Sequence, residues 1–315
     1  MPRCNPTPEQ EIKSAILADS LSQLSAALEH AEERIRDNEA LREAFESALK
    51  LAVQQGRTAL AQHLLEEGAE ITALSVLDVG CYKPSIALWS FLKSYGYDFN
   101  QVGPKDSYFR GRSVIHTVTH DERLVRWLIE ECGVCVDLGE EDYWFRPHPP
   151  LVLQTCASIG SVACFKLIKE RGAKMGRRAL HEAVYSAAGA GYVPKDASPD
   201  QKKTSEEKTK EGKDERAECA AADLPQSERK KNREEMLTYL VDELHLDVNA
   251  LDTEDLMSDG CRKPSSWGRP LDYALKVADE DPVGGAVVRW LLNKGADTNI
   301  IFRKTSPWLL KHNER

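Results

Sequence analysis

Few residues in this chain are spaced for chemistry. Cys132-Gly133-Val134-Cys135 is a C-x-x-C, the spacing of half a zinc site or of a redox pair. A zinc site needs a second close pair. Cys156 and Cys164 stand eight apart on expected helices and do not supply one. The expectation is therefore structural thiols and no bound metal. His116 and His181 could serve as acid or base, but no nucleophile stands at a spacing that joins it to either. Cys164, His181 and Asp247 can be assembled only on paper. Ala187-Ala188-Gly189-Ala190-Gly191 is small and flexible. It lacks the Lys-Ser/Thr or the preceding strand of a phosphate loop, and reads as the fraying end of a helix. Arg229-Lys230-Lys231-Asn232-Arg233 is a basic run suited to a localisation signal or a nucleic-acid patch. Glu228, Glu234 and Glu235 flank it, so a solvated linker end is the plainer reading. Neither catalysis nor a cofactor is expected.

The elements that carry these residues repeat. An apolar helical stretch and a polar break, followed in most copies by an Asp or Asn beside a hydrophobic residue, recur at Leu64–Ile71, Phe91–Asn100, Trp127–Leu138, Leu167–Lys174, Tyr239–Asn249 and Trp290–Asn299, with Glu70 in the acidic place of the first copy and Lys174 in that of the fourth. The apolar spacing makes a stripe that must be buried, with Trp89, Trp127 and Trp290 on it. Gly then ends the helix in the left-handed conformation, where a Cβ would be strained. Gly68, Gly96, Gly133 and Gly172 lie 28, 37 and 39 residues apart, the length of one helix-turn-helix unit with variable loops. A second phrase opens the units: Arg178-Ala179-Leu180-His181-Glu182-Ala183 and Arg269-Pro270-Leu271-Asp272-Tyr273-Ala274. Ser113-Val114-Ile115-His116 and Pro149-Pro150-Leu151-Val152 are weaker copies.

The opening phrase resembles the ankyrin motif T-P-L-H-x-A, and the closing phrase resembles its L-L-x-x-G-A-D-x-N end. The resemblance spans roughly residues 10–310 and implies an all-α, ankyrin-type solenoid of about seven helix-turn-helix units that binds proteins. It also implies internal hydrogen bonding for His116 and His181. The units are expected near 10–36, 41–71, 72–100, 111–138, 148–175, 177–249 and 268–299, with a partial cap over 300–315. Those near 10–36 and 72–100 lack the opening phrase. Residues 194–233 hold 11 Lys and Arg against 10 Asp and Glu, one leucine and no aromatic residue. A segment this polar cannot offset its ordering entropy, so a disordered insertion is expected.

Aromatic residues between units are the expected partner contacts: Tyr108 and Phe109, then Tyr143, Trp144, Phe145 and Arg146, then Trp267. Trp, Tyr and Arg are the types that anchor interfaces. The net charge of -9 disfavours nucleic acid and anionic membranes and favours a basic protein surface. The insertion carries +1, so the remainder carries -10. No run of about 18 apolar residues is present, and residues 1–13 have no apolar signal region. With eight scattered cysteines, the cytosol or nucleus is the expected compartment. The expected function is a non-catalytic interaction scaffold. A regulatory or accessory subunit, and more remotely an enzyme with a cleft on the solenoid, are the alternatives.

Overall fold

A computed structural model describes residues 6–35, 38–103, 111–138, 151–189, 225–252, 268–278 and 282–298. Among the described residues the chain is helical, with thirteen α-helices and no β-strand. None of these helices is long and apolar enough to cross a membrane. Two compact units result. The first comprises Met1–Val118 with Arg123–Cys135, the second Thr119–Glu122 with Val136–Arg315.

The first unit holds α1 (Pro8–Leu17), α2 (Leu21–Arg34), α3 (Asn38–Gln54), α4 (Thr58–Glu66), α5 (Val76–Gly80), α6 (Ile86–Ser94) and most of α7 (Glu122–Cys132). Helix α3 shows why they associate. Ala44, Phe45, Ala48, Leu49, Ala52 and Val53 are all buried, two residues in every four, which makes one continuous stripe. Burying a side chain such as Leu49 contributes about 1.5–3 kcal/mol. First helices rest on first helices and second on second: α1 packs on α2 and α3, α2 on α4, and α3 on α4 and α5.

Two openings in this unit are short. Helix α5 has five residues, and Val114–Thr117 forms only a 3-10 turn. Val114, Ile115, Thr117, Val118 and Thr119 are all β-branched, and such side chains lose rotamer freedom against a preceding α-turn. The turn packs on α5 at Gly80, where a Cβ would lie 2.2 Å from Thr117 Oγ1. Only a residue without a side chain fits there.

The second unit holds α8 (Val152–Ile159), α9 (Val162–Glu170), α10 (Ala179–Ala188), α11 (Gln226–Thr238), α12 (Pro270–Ala278) and α13 (Pro282–Asn293). Helix α8 packs on α9, α10 on α8 and α12, and α12 on α13, while α11 covers α8, α9 and α10. A π-helical segment, Tyr239–Glu243, continues α11.

Helix α11 departs from expectation. Residues 226–233 fall within the range read as disordered, yet they are helical. The charged run supports the helix instead of preventing it. Lys230 pairs with Glu234 and Lys231 with Glu235, one turn on, while Met236 and Leu237 are buried and anchor the helix end. The basic run is thus neither a linker end nor all solvated, since Arg229, Asn232 and Arg233 are only half exposed. The rest of the expected insertion, 194–224, and the expected cap over 300–315 lie outside the described residues.

Candidate functional site

Two hydrogen-bonded devices recur in the described helices. The first sits at helix starts. Ser113 N–H donates to His116 Nδ1 at 3.1 Å, three residues on. Leu151 N–H donates to Gln154 Oε1 at 3.2 Å in the same relation. Arg269 N–H donates to Asp272 Oδ2 at 2.7 Å. Ser75 N–H donates to Asp78 Oδ2 at 2.9 Å, and Thr7 N–H to Gln10 Oε1 at 3.0 Å. Each acceptor pins the backbone just ahead of its helix, as a capping box does. The regions near 10–36 and 72–100 lack the T-P-L-H-x-A phrase, yet each has a capping box ahead of its first helix, at Thr7–Gln10 and Ser75–Asp78. The S/T-x-x-(acceptor) spacing could have revealed both, since neither needs a histidine.

The second device sits after helix ends. Gly68, Gly96, Gly133, Gly172 and Gly295 all have positive φ, between 62° and 102°. In the copy without glycine, His245 takes that place at φ 55°. Two residues past it, Asp247 Oδ1 accepts Asn249 N–H at 2.8 Å, and Asp98 Oδ1 accepts Asn100 N–H at 2.9 Å. These are Asx turns. The asparagines then reach onward along the chain. Asn100 Oδ1 accepts Cys135 N–H at 2.9 Å, 35 residues later. Asn249 Oδ1 accepts Asp297 N–H at 2.7 Å, 48 residues later, while its Nδ2 donates to Gly295 O at 3.0 Å. One turn therefore holds the equivalent turn that follows it.

The second unit also contains a buried polar cluster. Arg178 and His181 are 0% exposed, Asp252 1% and Tyr273 3%. Asp252 Oδ2 accepts the Tyr273 hydroxyl at 2.5 Å and lies 3.6 Å from Arg178 Nη2. Its Oδ1 accepts Gly268 N–H at 3.2 Å, and Asp252 N–H donates to Gly268 O at 3.2 Å. His181 Nε2 lies 3.1 Å from both Ala250 O and Gly268 O, which assigns it the proton as donor. Residues 250–252 and 268 are thereby clamped together from below by α10. Burial pulls the His181 imidazole down to about 4, against the opposing pull of Asp252. Burial, with the Asp252 charge and its hydrogen bond, pushes the Tyr273 hydroxyl well up. Shifts of this size mark many active sites, but these groups are enclosed. Their described contacts run to one another and to the backbone at 250, 252 and 268.

The described cysteines form no disulfide with one another. Cys132 is a free, half-buried thiol pushed up to about 11, chiefly by burial, and Cys135 is free and exposed. Cys156 and Cys164 are free and buried, with Cys164 also near 11. Burial makes the Cys132 and Cys164 thiols weaker acids and so less nucleophilic near neutral pH. Among the described residues no three His, Cys, Asp or Glu side chains gather as a metal set.

The seven expected partner contacts, Tyr108, Phe109, Tyr143, Trp144, Phe145, Arg146 and Trp267, all lie outside the described residues. The three helical tryptophans divide. Trp89 is fully buried, donating from Nε1 to Val79 O at 3.0 Å. Trp127 is only half buried and packs on Trp89 and Phe99 at 5.8 and 5.6 Å between ring centroids. Trp290 is half exposed under the Lys294 ammonium, 5.7 Å away, because its side of α13 faces outward. No protein-family model matches the chain, and no curated protein matches it.

Proposed function

We propose that this chain is a non-catalytic protein-binding scaffold built on an ankyrin-type solenoid. The observation that carries the reading is the onward-reaching turn. Asn100 holds the turn at Cys135, and Asn249 holds the turn at Asp297, each from an Asx turn that follows a left-handed helix end. A device that ties each turn to the equivalent one after it belongs to a stack of similar units, and stacked units offer an extended surface for partners. His116 and His181 fit the same reading, one bonded within its own opening and the other to the segment ahead of the following helix.

Affinity capture from native lysate, using the intact chain and a Trp144→Ala variant, tests the proposal. Specific protein partners retained by the intact chain and lost from a normally melting variant are the expected result. A folded bait that captures no protein sinks the scaffold reading.

A further inference from the structure

The sequence between residues 166 and 178, KLIKERGAKMGRR, contains six Lys and Arg and a single Glu, in a chain whose net charge is -9. Only Arg178 of the six is buried. Lys166, Lys169, Arg171, Lys174 and Arg177 are exposed. The backbone gathers them. Arg171 N–H closes on Leu167 O at 3.1 Å, Gly172 N–H on Lys169 O at 3.0 Å and Ala173 N–H on Ile168 O at 3.3 Å. With Gly172 at φ 91°, the chain folds back over the end of α9. Lys169 and Arg171 therefore stand at the negative pole of that helix, which favours positive charge.

Two of these lysines show what the patch binds. Lys166 Nζ lies 3.2 Å from the Glu243 carboxylate, and Lys174 Nζ lies 2.8 Å from that of Asp137. Both pairs are solvent-facing, with the lysine side chains 46% and 73% exposed, so an incoming carboxylate can replace either at little cost. Met175, 40% exposed, stands among the cations and adds an adaptable apolar contact.

We infer that the turn after α9, centred on Lys169, Arg171, Lys174 and Met175, is a docking site for a Glu- and Asp-rich protein segment with interspersed apolar residues. A carboxylate-binding turn presupposes that the chain binds proteins, as proposed above. The alternating Met175 contact and the existing carboxylate pairs favour a peptide over nucleic acid. A phosphate backbone has no use for an exposed methionine, and both existing pairs are with carboxylates. The patch also gives the acidic chain a second kind of partner. Its overall charge selects basic surfaces, and this turn selects an acidic one.

The test uses a fluorescein-labelled peptide of repeating Glu-Glu-Leu and the full chain, read by anisotropy at low salt and again at about 0.3 M, where exposed pairs are screened. Three proteins are compared: wild type, the double reversal Lys169→Glu/Arg171→Glu, and Arg42→Glu as an exposed reversal elsewhere. Matching circular dichroism spectra establish that all three fold. Peptide binding that weakens at least about tenfold in the double reversal, weakens with salt and is unchanged in Arg42→Glu is the expected result. Equal binding by wild type and double reversal, or no binding by either, overturns it. So does tighter binding of a single-stranded oligonucleotide of equal charge, or a salt-sensitive dimer in sedimentation that the double reversal abolishes. Lysate partners held equally by wild type and double reversal, with no peptide bound, remove the turn and leave the scaffold reading standing. A peptide bound through the turn by a chain that captures no protein supports the turn and counts against the scaffold.

Discussion

The two units fix their helices by opposite means. Around α6 and α7 the first unit uses rings: Trp89 packs on Trp127 and Phe99, and Phe99 on Tyr97, with centroids 4.9–5.8 Å apart. Around α10 and α12 the second unit uses buried charge, with Asp252 between Arg178 and Tyr273. The aromatic cluster gains from area and loses in proportion to the atoms removed. In the polar cluster Asp252 accepts from both the Tyr273 hydroxyl and Gly268 N–H. Removing one member strands another in a low-dielectric interior, at a cost above the worth of the lost bond. The first arrangement tolerates imperfection, and the second enforces one geometry.

Four perturbations can break or sharpen that contrast. Trp89→Ala should have the largest effect, about 3–5 kcal/mol, by leaving a cavity and an unpaired Val79 carbonyl. Hydrogen exchange should rise through α5, α6 and α7 and stay unchanged in α10 and α12. Asp252→Ala should cost about 3 kcal/mol by leaving the buried Tyr273 hydroxyl and Gly268 N–H without their acceptor, with fast exchange confined to α10, α12 and α13. An even spread of exchange across both units in either variant would remove the distinction.

Acid should act on the second unit next. His181 is held neutral, with its native value near 4 against 6.5 for an ordinary histidine. Below 6.5 the unfolded chain takes up the proton and the native chain does not. The contribution is therefore complete above 6.5 and is lost as pH falls toward 4, by up to about 3 kcal/mol. The urea midpoint gap between wild type and His181→Gln should shrink from pH 7 to pH 4.5, and a constant gap would refute the assignment. Asn249→Ala should have the smallest effect, about 1–2 kcal/mol. It frees Asp297 N–H and Gly295 O, so exchange at Asp297 should rise while α8 and α9 keep their protection.

The contrast also explains which features the sequence discloses. Glycines that end helices are legible because no other residue takes positive φ without strain, and Gly68, Gly96, Gly133, Gly172 and Gly295 all do. His245 fills the same role without a glycine to mark it. Thr7 and Gln10 were available as a capping box. A search keyed to histidine at the acceptor position passes over Gln10, Asp78 and Gln154, although each accepts the same N–H. Helix α11 was obscured by composition. Its charges read as a solvated run until the one-turn spacing of Lys230 and Lys231 from Glu234 and Glu235 is considered. The basic turn after α9 is plain in the sequence as charge, but only the fold shows that Lys169, Arg171 and Lys174 converge around one helix end. The buried cluster could not have been read, because Asp252 is 74 residues from Arg178 and nothing local marks either as enclosed.

The clamp between Asp252 and Gly268 has a consequence for engineering. One backbone bond, one bond from Gly268 N–H to the Asp252 carboxylate and the His181 brace hold the two residues side by side. The entropy of closing a connection rises only slowly with its length. Foreign sequence grafted between those two residues would enter and leave the helical framework at fixed points, which makes this spot a natural graft point for displaying an epitope or a reporter.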